Sequence, residues 1–257
     1  MKVYGVQFDS SWENKDENFS RVNSLVNSEQ IEQNSLIVLP EMFATGFSLE
    51  TSRTLAGEPQ KTENYLSKLA KNKKSWVIAG MAQPTKVIGK AHNCAVIFSP
   101  MGEKICTYSK IHPIQMLGED RVHLPGSTVE SIEIDPFIIT PIICYDLRFP
   151  ETFRLALKKG TNVFIVIACW PKIRIDHWTT LLQARAIENQ SYIIGINRVG
   201  KDPGLEYGGR SLFVDPLGKI LIEGDEIEGI IETSIEKNII DNWRSEFPSI
   251  EDRKENL

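Results

Sequence analysis

Apolar and polar positions alternate along the chain in two rhythms. Val3–Phe8, Trp76–Ala82, Asn93–Ser99 and Lys104–Tyr108 read as strands. A Pro100-Met101-Gly102 turn joins the last two. Leu36–Leu39, Phe137–Cys144 and Val163–Cys169 are short continuous apolar runs, as expected of strands buried on both faces. Pro141 inside the second run predicts a bulge or a sheet edge. Strands are also expected at Tyr192–Asn197, Ser211–Val214, Lys219–Ile222 and Gly229–Ile235. Between them lie helical stripes. Lys15–Gln33 places Phe19, Val22, Leu25 and Val26 on one face, and Thr62–Lys73 does the same with Tyr65, Leu66, Leu69 and Ala70. Pro150 suits the first turn of a helix running to about Lys159, with Gly160 as its C-cap. Asp176 can cap a helix through Asn189, with Trp178, Leu181 and Leu182 inward.

Strand–helix alternation from end to end, without repeat or linker, predicts one layered α/β domain over residues 1–257. A polar tail is expected from about Glu236, interrupted by Trp243 and Phe247. It could pack on its own domain or on a partner subunit.

Composition narrows the function. The 257 residues are 41% hydrophobic and 25% charged, which excludes disordered and fibrous classes. The net charge of -5, with no basic stripe, argues against a nucleic-acid partner. No apolar run approaches the ~20 residues of a membrane span, so no membrane partner is expected. The opening MKVYGVQFDSSW lacks the long apolar stretch of a secretory leader, which predicts a cytoplasmic chain. The four cysteines, Cys94, Cys106, Cys144 and Cys169, are therefore expected as free thiols, although Cys94 and Cys106 fall on neighbouring strands. The four histidines show no metal-ligand spacing, so neither metal nor cofactor is expected.

Three segments place a reactive group where a buried strand gives way to a loop: LPEMFATGF at 39–47, YSKIHP at 108–113 and CYDLRFPE at 144–151. Cys144 ends its strand just before a helix, where a thiolate gains from the helix N-terminus and a nearby cation; a buried structural thiol is the competing reading. Glu41 follows an apolar run and is partly desolvated, which suits a general base, whereas a solvated loop glutamate would do nothing. Lys110 can stabilise an oxyanion or be an ordinary surface lysine. His112 beside it is read as orienting its loop.

Taken together and in order, the three segments resemble the signature regions of the nitrilase (carbon–nitrogen hydrolase) superfamily, over about Lys2 to Ile235. The resemblance implies a four-layer αββα sandwich and a homodimer. It implies Glu41 as base, Lys110 as oxyanion stabiliser and Cys144 as nucleophile. A second acid falls within MLGEDRVHLPG, where Glu119 is chosen over Asp120. CYDLRFPE, ACWP at 168–171, HWTTLLQARAIENQ at 177–190 and NRVG at 197–200 resemble the omega-amidase branch, which deamidates 2-oxoglutaramate and 2-oxosuccinamate. The implied reaction is hydrolysis of a small-molecule amide through a Cys144 thioester, with the Tyr145 N–H as a second oxyanion donor. Arg148 is then the first candidate for the substrate carboxylate, against a structural ion pair with Asp146 or Glu151, and Arg198 is the alternative. Trp170 and Phe43 are expected to wall the pocket, or else to be core. The triad does not choose between this substrate and a carbamoyl compound, a nitrile or a larger amide. A non-enzymatic binding protein would need a triad residue missing, and none is.

Overall fold

A computed structural model describes residues 1–254. Its strands are β1 (Lys2–Gln7), β2 (Leu36–Val38), β3 (Trp76–Pro84), β4 (Ala91–Phe98), β5 (Lys104–Ser109), β6 (Ile132–Ile134), β7 (Phe137–Ile143), β8 (Val163–Ala168), β9 (Tyr192–Asn197), β10 (Val199–Lys201), β11 (Glu206–Gly208), β12 (Leu212–Val214), β13 (Ile220–Glu223) and β14 (Gly229–Ser234). The helices are α1 (Lys15–Ser28), α2 (Thr51–Thr54), α3 (Gln60–Lys73), α4 (Pro150–Leu157), α5 (Ile175–Asn189) and α6 (Lys237–Glu246).

Two six-stranded sheets form, in the orders β14-β1-β2-β3-β4-β5 and β13-β12-β9-β8-β7-β6, with β10 and β11 as a separate ribbon. The apolar strands serve two cores because successive side chains point to opposite faces. In β2, Leu36 and Val38 pack between the sheets, while Ile37 faces the helices. In β4, Ala95 and Ile97 face the second sheet, and Cys94, Val96 and Phe98 face the helix layer. Phe19, Val22 and Val26 of α1, with Leu66, Leu69 and Ala70 of α3, cover the outer face of the first sheet. Phe153 of α4, with Trp178 and Leu182 of α5, covers that of the second. The result is the expected αββα sandwich. Each fully buried Ile or Phe contributes about 1.5–3 kcal/mol.

Several local expectations change. Helix α1 ends at Ser28, not Gln33, because after Val26 the next inward positions are Glu29 and Gln30, and Glu29 is extended. Helix α5 begins at Ile175 on Arg174, and Asp176 lies in its first turn, not at its cap. Pro141 sits where β7 is an edge, since β6 pairs only with Phe137–Ile139. The tail from Glu236 forms α6, which docks on the same chain. Ile240 is buried there, and the Arg244 guanidinium donates to the carbonyls of Gln190, Thr161 and Asn189. Cys94 lies opposite Ser109 and Cys106 opposite Ile97, so the two thiols are not cross-strand partners, and all four cysteines are free. Among the described residues, no helix is long and apolar enough to cross a membrane.

The topology positions the site. Strands β2, β3 and β5 run in one direction, and β7, β8 and β9 are mutually parallel. Glu41, Lys110, Cys144 and Cys169 each lie just beyond the carboxyl end of one of these strands, the usual location of ligand sites in α/β sheets.

Candidate active site

Glu41 reaches the site through a turn that needs Gly80. Gly80 N donates to Pro40 O, and Phe43 N donates to Gly80 O, each at 3.1 Å. A Cβ at position 80 would lie 2.5 Å from Glu41 Cα and 2.6 Å from Met42 N, so only glycine lets the turn lie against β3. The carboxylate is clamped on both oxygens. Oε1 accepts from Asn93 Nδ2 at 2.7 Å and Lys110 Nζ at 2.9 Å, and Oε2 accepts from Cys169 N at 2.8 Å.

Lys110 is almost wholly buried between two carboxylates. Its ammonium lies 2.9 Å from Glu41 Oε1 and 2.9 Å from Glu119 Oε2. Burial works against its charge, but Glu119 and then Glu41 outweigh it and hold the pKa well above the ordinary lysine range. Gly126, whose missing Cβ would meet Ser109 O at 2.2 Å, lets the 119–126 segment cross close over the end of β5. Glu119 also accepts from Ile114 N at 2.7 Å, Asn93 Nδ2 at 3.0 Å and the buried His123 Nδ1 at 3.3 Å. Its burial is outweighed by Lys110 first, then by His123 and Asn93, and its pKa is held down at about 2. Asp120, the neighbouring acid, lines a separate cavity.

Cys144 is only 3% exposed and has a φ of +46°. A left-handed non-glycine residue costs about 1–3 kcal/mol, and here it turns the thiol out of β7. The following turn is pinned by the fully buried Asp146. It accepts from Tyr108 Oη at 2.7 Å and from His112 N and Nδ1 at 2.8 and 2.7 Å. His112 thus braces the nucleophile turn. The Cys144 thiol lies within the electrostatic reach of Glu41 and Lys110. Burial, and then the Glu41 charge, push its pKa well above the ordinary thiol value.

A cavity of about 320 Å³ opens over Cys144. Tyr145, Arg148 and Trp170 line it, as expected. The Arg148 guanidinium stacks 4.7 Å above the Trp170 ring and makes no ion pair with Asp146 or Glu151. It reaches His177 Nδ1 at 3.4 Å. Trp170 is fixed by its Nε1 donating to Arg174 O at 2.7 Å. Two expectations fail. Phe43 does not wall the cavity; it packs on Phe19 and Tyr65 in the helix-side core, because it points through the first sheet's outer face. Phe47 is the ring of that segment that meets the site, 5.3 Å from Lys110 Nζ. Arg198 is not available to substrate: it is buried and paired with Asp202 at 2.6 Å and Asp9 at 3.1 Å.

Sequence reading missed Asn93, His123, Arg174 and His177. Nothing in the chain marks Asn93 or His123, whose partners are set by strand pairing and by the 119–126 crossing. Arg174 carries a faint signal, three residues beyond Pro171 at a strand end. Among the described residues, no group of three or more His, Cys, Asp or Glu side chains could hold a metal ion.

The family profile for carbon–nitrogen hydrolases matches residues 3–245. A 2-oxoglutaramate amidase of Paenarthrobacter nicotinovorans is 36% identical over 98% of this chain and 88% of its own. A 2-oxoglutaramate amidase of Bacillus subtilis is 34% identical over 98% and 97%. A crystal structure of a carbon–nitrogen hydrolase superfamily protein of Xanthomonas campestris, with an arsenic adduct in its active site, superimposes with a TM-score of 0.92 at 27% identity, over 100% of this chain and 98% of that one. The buried Glu–Lys–Glu array beside a strained cysteine thus lies in a member of the carbon–nitrogen hydrolase family, in the omega-amidase branch of the nitrilase superfamily, and the chain is a hydrolase of amide C–N bonds.

Proposed function

We propose that this enzyme deamidates small omega-amides of 2-oxo dicarboxylic acids, 2-oxoglutaramate foremost, to the diacid and ammonia. The observation that carries the reading is Arg148. It lines the same cavity as the Cys144 thiol, stacked on Trp170, with no carboxylate partner among the described residues. A guanidinium fork so placed suits a substrate carboxylate. The names of the two amidase relatives support the same substrate.

In the proposed cycle Glu41 takes the thiol proton as Cys144 Sγ attacks the amide carbon. Lys110 and the Tyr145 N–H meet the developing oxyanion. The tetrahedral intermediate collapses, the C–N bond breaks, and ammonia leaves with the proton held on Glu41. Glu41 then deprotonates a water that attacks the thioester, and the acid leaves as Cys144 regains its proton. Glu119 keeps its charge throughout and holds Lys110 in place. Free thiols, the nucleophile among them, suit a reducing cytoplasm. The homodimer implied by the resemblance would use the outer faces of α4 and α5, where Leu155 and Ile187 are exposed.

The test is ammonia release from 2-oxoglutaramate, succinamate, an N-carbamoyl amino acid and an uncharged amide. Preference for the first two supports the reading. Preference for the carbamoyl compound or the uncharged amide overturns it.

A further inference from the structure

Arg148 is not the only guanidinium on the cavity. Arg174 lines it too, at the end of the short turn that follows Trp170 and Pro171. Its backbone is anchored by Arg174 N donating to Pro171 O at 3.0 Å and by Trp170 Nε1 donating to Arg174 O at 2.7 Å. Its side chain makes no ion pair or hydrogen bond among the described residues. By contrast, Arg21, Arg154, Arg185, Arg198 and Arg210 each pair with an acid. Burial first, and the Arg174 charge after it, work against the charge of Arg148, which places the two guanidiniums on the same cavity within reach of each other. Among the described residues, no acidic side chain lines the cavity wall. Glu41 and Glu119 are both bound to Lys110.

Resting on the substrate reading above, we infer that Arg174 is a specificity-determining residue that selects the 2-oxo acid against the corresponding 2-amino acid. With Arg148 on the carboxylate, Arg174 donates to the oxygen at C2. A 2-oxo group is an acceptor there. A 2-ammonium group instead brings three donors and a positive charge against two guanidiniums, with no carboxylate on the wall to receive it. The enzyme therefore refuses glutamine by charge and donor mismatch, not by size.

The experiment compares kcat and KM for 2-oxoglutaramate, L-glutamine and butyramide in the wild type, Arg174→Gln and Arg174→Glu. Arg174→Gln should raise KM for 2-oxoglutaramate by roughly 10- to 100-fold, the worth of one charge-assisted hydrogen bond, with a smaller change in kcat. The ratio of kcat/KM for 2-oxoglutaramate over glutamine should fall with it. Arg174→Glu should lower that ratio further and raise glutamine turnover itself. An unchanged ratio in both variants overturns the inference, as does an equal loss on butyramide, which would make Arg174 mere scaffold. A wild type that favours butyramide over 2-oxoglutaramate overturns the substrate reading as well, so the two failures are separable.

Discussion

The Glu119 carboxylate grips the Lys110 ammonium with both oxygens, at 3.1 and 2.9 Å. Lys110 also faces Glu41, so one buried cation serves two anions, and the division of labour depends on Glu119 holding its share. In Glu119→Gln the ammonium should lean on Glu41 alone and make it a poorer base. The expected result is a fall in kcat of about 10²-fold or more with KM little altered, read by steady-state kinetics.

Glu119 also sets an acid limit on stability. Its folded pKa of about 2 lies below the ordinary 4.5, so the native state binds its proton less readily than the unfolded state. Its contribution is fully present above the unfolded value and is lost as the pH falls from about 4.5 towards about 2. Urea unfolding across that range should show the wild type losing stability faster than Glu119→Gln. Parallel slopes would show that the ion pair contributes nothing of this kind.

Asn93 bridges the two acids, donating to Glu41 at 2.7 Å and to Glu119 at 3.0 Å. Asn93→Leu removes both bonds at a buried position, leaving two carboxylates short of a donor. A loss of about 1–3 kcal/mol of stability is expected. A fall in kcat should accompany it. Chemical denaturation and ammonia release on the same samples check the two effects together.

The turn that carries Glu41 has no room to move. Gly80→Ala places a methyl 2.5 Å from Glu41 Cα, against backbone that cannot rotate away. Overpacking of this kind costs about 1–3 kcal/mol. The variant should remain folded by circular dichroism but lose most of its activity, because a small displacement of Glu41 spoils its alignment as the base for Cys144.

These positions show where the sequence was legible. Glu41 and Cys144 stood out because each follows a continuous apolar run, and with Lys110 they fall in order in three segments that resemble one family's signature regions. Phe43 misled because burial alone does not say which face of a sheet a neighbouring loop residue points through. Phe43 turned to the helices, and Phe47 to the site. Asn93 was invisible because its meaning lies in the pairing of β4 with β3 and β5. Arg174 belongs to a three-residue turn with no periodicity to read. The helix α6 was legible in principle, since Ile240, Trp243 and Phe247 lie at helical spacing, but its strongly polar outer face concealed it.

The covalent step can be observed directly. Wild-type enzyme mixed with 2-oxoglutaramate, acid-quenched within the first turnover and digested, should yield a Cys144 peptide heavier by one 2-oxoglutaryl group. The other three cysteines should be unmodified, and Cys144→Ala should give no adduct and no ammonia. Ammonia release from Cys144→Ala, or an acyl group found on any residue other than Cys144, would show that the thiol at the end of β7 is not the nucleophile.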